Sequence, residues 1–186
     1  MSDSVMLWSV VAVLLFWAMG AYNRLVRLRS RGLVAYATLE GLFNQYVLMV
    51  KTNFPDTPAD PASQFAGQGS DVTTVAWVAL AGAADQFKAS LKAAHSQPLN
   101  GPTMSALRTA FEILCLSWSR LRNLPPDLAG MAVPDTLLLQ WEHIALQTDM
   151  ARTVFNAAVA NYNQAISQFP TVMLARAFGF RPAQPI

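Results

Sequence analysis

The chain has 186 residues, of which 53% are hydrophobic and 13% charged, with a net charge of +2 and one cysteine. That length accommodates a single soluble domain of roughly 150 residues, large enough to close a core without staples, and the lone cysteine excludes an internal disulfide framework. Divided along the chain, the charge means more: residues 1–31 hold four arginines against Asp3, leaving nine Lys/Arg and ten Asp/Glu, a domain near −1. Such a domain has no basic stripe to gain from counterion release, so nucleic acid is not expected as a partner.

The first element is Val5 to Tyr22, eighteen residues without a charge (VMLWSVVAVLLFWAMGAY), followed by Arg24, Arg27, Arg29 and Arg31. As a helix it is about 27 Å long at ~1.5 Å per residue, near the lower limit for crossing a bilayer core. Trp8 at one end and Trp17 with Tyr22 at the other suit the headgroup levels. The cations follow the run and only Asp3 and the terminal amine precede it, so the positive-inside bias predicts a single-pass anchor with its N-terminus outside and the rest cytoplasmic. The four arginines then hold topology and touch membrane lipid, each worth about 1 kcal/mol near an anionic surface. A cleaved secretory signal is the rival, because Ala18-Met19-Gly20 has A-x-A-like spacing, but a signal needs cations before its apolar stretch, where this chain reads MSDS. A buried core helix is the third option, disfavoured by the length of the run and its two tryptophans.

Beyond the arginines, Leu25, Leu28, Leu39, Leu42, Phe43, Tyr46, Val47 and Val50 recur mostly at three- and four-residue steps, with no proline before Pro55. This predicts one helix running from the anchor into the domain. Gly32 and Gly41 mark either a bend or a close backbone approach. Asn53 to Asp71 (NFPDTPADPASQFAGQGSD) reads as a long, mobile loop. A second helix is expected over Val72–His95, with Asp71 as N-cap and Val72, Val75, Ala79, Ala83, Phe87 and Leu91 inward. After SQPLNGP a third begins near Thr103 and carries the seam Leu107, Phe111, Leu114, Trp118 and Leu121. LPPDLAGMAVP breaks it, and Pro134-Asp135 starts the last helix. Its seam is Leu137, Trp141, Ile144, Thr148, Ala151, Phe155, Ala158, Tyr162, Ala165 and Phe169, ended by Pro170, over about 50 Å.

No run alternates as a strand would, so the expected fold is all-α. A transmembrane helix within residues 1–23 leads into an elongated antiparallel bundle of about four helices in 24–186, with loop 53–71 and a tail over 171–186. Short breaks favour folding back within one chain, while the heptads also allow an intermolecular coiled coil and hence a homo-oligomer.

Residues with chemistry to offer are few. His95 and His143 are the only histidines, there is no HExxH or Glu-x-x-His, and the adjacent Glu142-His143 pair points to different helix faces. GQGSD lacks the lysine of a phosphate loop. No catalytic, cofactor-binding or metal-binding residue is nominated, no cofactor is implied, and an enzyme is not expected. Cys115 is read as a small core hydrophobe. Phe155-Asn156 and Tyr162-Asn163 stand seven residues apart, which puts the aromatics on one stripe and the amides on the next. Those amides are either surface groups flanking core aromatics or, with Asn23, bond across helices and fix their register. The tail TVMLARAFGFRPAQPI is expected to pack against the bundle, with docking at a membrane interface as the alternative.

The order Arg152, Phe155-Asn156, Val159, Tyr162-Asn163, Phe169-Pro170 and Phe178-Gly179-Phe180 with Pro182 resembles the LemA family of bacterial membrane-anchored helical proteins. GAYNRLVRLRSR, residues 20–31, is similar to that family's junction of span and first helix, whereas residues 52–135 carry no family motif. The chain departs from the family at Gly41, where GLFNQYVLMVK replaces a basic, proline-containing stretch. The resemblance implies an anchor in the bacterial inner membrane, a cytoplasmic helical bundle in which the motif residues are structural, and no established biochemical activity. Relatives are linked to membrane-protease neighbourhoods and, in one branch, to magnetosome membranes. Two functions are therefore expected: a membrane-anchored, non-catalytic scaffold or adaptor presenting its bundle to a membrane or envelope protein, or an accessory or regulatory subunit of an envelope protease.

Overall fold

The structure, a computed structural model, describes residues 2–53, 72–124 and 133–186. Every regular element among them is a helix: α1 (Ser2–Asn53), α2 (Val72–Ser96), α3 (Gly101–Arg122), α4 (Asp135–Ser167) and a short α5 (Thr171–Ala177) that the periodicity did not predict. Asn53, the first residue of the predicted loop, is the last of α1, and the remainder of that loop with Asp71 lies outside the described residues, as do 125–132 of the third break.

α1 is one unbroken helix of 52 residues, about 78 Å long at ~1.5 Å per residue. Its two parts meet different surroundings. The apolar start is exposed along most of its length, with Trp8 72% and Phe16 83% exposed, and it makes α1 the helix among the described residues that is long and apolar enough to cross a membrane. From Leu25 onward a buried stripe of Leu25, Tyr36, Leu39, Phe43, Tyr46 and Val50 faces the bundle.

α2 lies antiparallel to α1, pinned by His95 Nδ1 to Glu40 Oε1 at 2.8 Å and Lys51 Nζ to Asp85 Oδ1 at 2.9 Å. The second pairing brings Asn53 level with Ala83, so the first eleven residues of α2, 72–82, run past the end of α1. That is why Val72, Val75 and Ala79, expected inward, are exposed, while Leu80, Ala83, Ala84, Phe87, Leu91 and Ala94 form the buried face.

The turn into α3 holds Leu99 at φ 68°, a left-handed conformation that costs a non-glycine residue about 1 kcal/mol or more. Its buried side chain lies 3.6 Å from where a Cβ on Gly32 would stand, ordinary van der Waals distance, so the turn packs on α1 there without an unusually close approach; Gly41 is exposed, and α1 continues through both. Pro102 opens α3, and the Thr103 hydroxyl donates to the carbonyls of Gln97 and Asn100 at 3.0 Å, fixing the entry two residues earlier than the pattern predicted. All five residues of the predicted α3 seam are buried.

α4 returns along α1, with Trp141 against Tyr46 at 4.7 Å and Phe155 against Tyr36 at 6.1 Å between ring centroids. Phe43, Phe87 and Phe111 meet one another at 4.9–5.5 Å and join α1, α2 and α3. The α4 seam holds except at Ala151, which is half-buried, and with two further corrections. Val159 is buried and Ala158 only half so, because a heptad repeat drifts by about 20° per seven residues on a straight helix and shifts the stripe by one position late in α4. Phe169 is 81% exposed, because α4 ends at Ser167 and the chain turns away before it.

Candidate functional site

The motif residues converge on one feature, an extended strap that returns along α4. It begins at α5, whose C-terminus closes with two backbone bonds: Phe180 N–H donates to the Ala175 carbonyl at 2.9 Å and Gly179 N–H to that of Arg176 at 3.3 Å. This is a Schellman closure, which needs a left-handed residue just past the helix, and Gly179 supplies it at φ 71°. The glycine of Phe178-Gly179-Phe180 is thus set by backbone geometry. The flanking rings both pack on Tyr22 at the end of the apolar run, Phe178 at 5.1 Å and Phe180 at 5.9 Å.

Beyond this turn the chain is held by two asparagines. Asn163 Nδ2 donates to the Ala183 carbonyl at 2.8 Å, and its Oδ1 accepts from the Ala183 N–H at 2.9 Å. Asn156 does the same for Ile186, donating to its carbonyl at 2.8 Å and accepting from its N–H at 2.9 Å. Between the turn and the first clamp, the Tyr162 hydroxyl donates to the Arg181 carbonyl at 3.0 Å. The spacings match: seven residues of helix rise about 10.5 Å, and three residues of extended chain cover about 10 Å. Each primary amide therefore serves one backbone donor and one acceptor, as a neighbouring strand would, while Ala183 and Ile186 are buried below.

This corrects both sequence-based accounts of the amides. Asn156 and Asn163 are half-buried and bond to the backbone of the tail, neither surface groups nor ties between helices, and Asn23 is exposed. The tail packs on the bundle, as expected.

The remaining motif residues are spread along α4 and the turn that follows it. Phe155 is fully buried, and Pro170 is half-buried before α5. Arg24, Arg27, Arg29 and Arg31 are exposed on α1. Burial raises the Tyr162 hydroxyl above its ordinary value, with Arg29 pulling the other way. Arg152 reaches inward beside Cys115, and its buried Nε finds no hydrogen-bond partner among the described residues. Burial pushes the Cys115 thiol up to about 11 against the opposing pull of Arg152, which leaves it protonated and unreactive at neutral pH. His95 bonds Glu40, and His143 meets Gln147 Nε2 at 3.0 Å on an exposed face. Among the described residues no group of three His, Cys, Asp or Glu side chains is placed to hold a metal ion.

A second feature had no motif to announce it. α1 and α4 border an open groove of about 470 Å³, lined by Ala35, Thr38, Gly41, Gln45, Met150 and Val154 among others. Gly41 has nothing within 4 Å of its Cβ position, so the missing side chain helps leave the groove open. On its α4 side Met150 and Val154 are exposed, and Leu139 and Leu146 are exposed further back along α4. The signal was present in the sequence as Met150 and Val154, two apolar residues four apart on the flank of the seam.

Comparison with known proteins agrees with the motif. The LemA family model matches residues 117–185, from the end of α3 through α4 and α5 into the strap. No curated protein and no solved structure matches the chain.

Proposed function

We propose that the chain is a membrane-anchored, non-catalytic scaffold or adaptor that offers its helical bundle to a membrane or envelope protein. The observation that carries this reading is the apolar groove between α1 and α4 with Met150 and Val154 exposed on its wall. Soluble surfaces seldom leave such a strip uncovered, and an amphipathic helix laid into a groove is a common way to cover one. The exposed start of α1 and the arginines after it support an anchor in the bacterial inner membrane, N-terminus outside and bundle in the cytoplasm.

The test is a photo-crosslinking residue at Met150 in cells, beside one at Glu112 on α3 as control. A discrete adduct with a membrane or envelope protein from Met150 and none from Glu112 is the expected result. Equal labelling from both positions would remove the groove from consideration. An adduct identified as a protease would turn the adaptor into an accessory subunit. Topology is tested separately by reporters joined to the C-terminus through a flexible linker, of which the cytoplasmic fluorescent one is expected to be active and alkaline phosphatase inactive.

A further inference from the structure

We infer that α5 and the Phe178-Gly179-Phe180 turn form a second contact with the bilayer, seating Phe169, Met173 and Phe178 at its interface and anionic headgroups on the surrounding arginines. The inference rests on residues 5–22 being a membrane span.

The level of α5 follows from helix pairing. From the contact of Tyr36 with Phe155, twelve residues back along α1 reach Arg24 and twelve forward along α4 reach Ser167. α4 therefore ends two residues beyond Tyr22, the last residue of the uncharged run. α5 follows at that height, and the contacts of Phe178 and Phe180 with Tyr22 fix it there. Tyr22 on a span of this length stands at the headgroup level, so its two partners stand there too.

At this height α5 shows two kinds of surface. Ala175 is buried against the bundle and Leu174 half-buried, whereas Phe169, Met173 and Phe178 are 81%, 67% and 61% exposed. These three are large apolar side chains directed away from the core at the one end of the bundle that meets the span. Among the described residues the charge there is of one sign. No aspartate or glutamate occurs between Asp3 and Glu40 or from Met150 to Ile186, while Arg24, Arg27, Arg176 and Arg181 are all exposed. The α2–α3 turn reaches only as far as Gly32, so no carboxylate enters from that side. A purely cationic rim around exposed aromatic and thioether groups fits an anionic lipid surface better than it fits an acidic peptide, which would not need the apolar part. A segment this short binds weakly alone, but the span holds it beside the bilayer at high local concentration.

The full chain in lipid nanodiscs tests this, with Cys115→Ala as background and single nitroxide labels on Met173→Cys, Leu14→Cys and Leu146→Cys. Relative accessibility to oxygen and to a water-soluble nickel chelate reports depth. In discs containing phosphatidylglycerol, the Met173→Cys label should favour oxygen, between the lipid-like Leu14→Cys and the aqueous Leu146→Cys. It should shift toward the aqueous value in phosphatidylcholine alone or when Arg176→Gln and Arg181→Gln are added; no shift in either case would overturn the headgroup assignment. A Met173→Cys label as aqueous as Leu146→Cys, with Leu14→Cys still lipid-like, would overturn the interfacial contact alone. Spin–spin broadening at Met173→Cys would assign the patch to a second copy and overturn it as well. An aqueous Leu14→Cys label would refute the span itself, and the inference with it.

Discussion

Trp118 and Trp141 lie face to face, their ring centroids 4.2 Å apart and their planes 6° from parallel. Trp141 also meets Tyr46 edge-on at 4.7 Å, so one indole joins α1, α3 and α4. Trp141→Ala should therefore destabilise the bundle by about 3–5 kcal/mol, the usual range for removing a large buried aromatic. Denaturant titration of the detergent-solubilised protein, followed by near-ultraviolet circular dichroism, measures it. A loss below about 1 kcal/mol would mean that α3 and α4 are not joined here.

Phe155 is fully buried against Tyr36. Phe155→Ala is expected to cost about 3–5 kcal/mol by the same measurement, with Phe155→Leu costing clearly less because most of the volume remains.

The strap makes a sharper prediction because its two amides use both of their atoms. Asn163→Ala removes two hydrogen bonds and leaves the Ala183 N–H and carbonyl to find water, a loss of about 1–3 kcal/mol confined mainly to the tail. Hydrogen exchange at residues 181–186 should rise while α4 stays protected. Asn163→Asp keeps the acceptor for the Ala183 N–H but turns a carboxylate oxygen toward the Ala183 carbonyl, so it should release the strap as fully as alanine does. Retained protection in Asn163→Asp would show that the donor bond to the carbonyl is dispensable.

Gly179 stands at φ 71° with open space at its Cβ position, so Gly179→Ala meets conformational strain and no clash. The expected cost is about 1 kcal/mol. Gly41→Ala is the counterpart, an exposed helical glycine with equal room, and should gain about 0.5–1 kcal/mol. Thermal melting of the pair, with opposite signs, checks both.

Alkaline pH should weaken the fold. Burial raises the Cys115 thiol from an ordinary 9.0 to about 11 and the Tyr46 hydroxyl from 10.0 to about 12. Both groups keep their protons in the folded chain where the unfolded chain has already lost them. Their stabilisation is thus complete below the unfolded values and is lost as pH rises through the folded ones. Melting temperature should hold from neutral pH to about 9 and fall above it, and Cys115→Ala should remove the earliest part of that fall. A thiol reagent should label Cys115 slowly near neutral pH and rapidly once the chain is unfolded.

What the sequence disclosed about this fold follows from which forces are periodic. The α3 seam and most of the α4 seam were legible because a buried stripe must repeat near 3.6 residues whatever its partner is. The inward face of early α2 was not, because it depends on where α1 ends, a relation between segments that no local pattern carries. Asn156 and Asn163 could be placed on one face, but their partners are backbone groups of residues 183 and 186, and backbone has no sequence signature. α5 escaped notice because seven residues are too few to show a period.

Between Tyr22 and Leu25 the helix does not pause: the last residue of the uncharged run and the first of the buried stripe are less than one turn apart in α1. The bundle is consequently not a body on a string. A tethered domain explores a hemisphere and can turn any face to a partner, whereas a domain grown directly from a stiff rod keeps one azimuth and one height. Any twist or tilt imposed on residues 5–22 is delivered to Tyr36, Phe43 and Tyr46 as a lever delivers torque, and the direction in which the α1–α4 groove looks is set by whatever grips the other end.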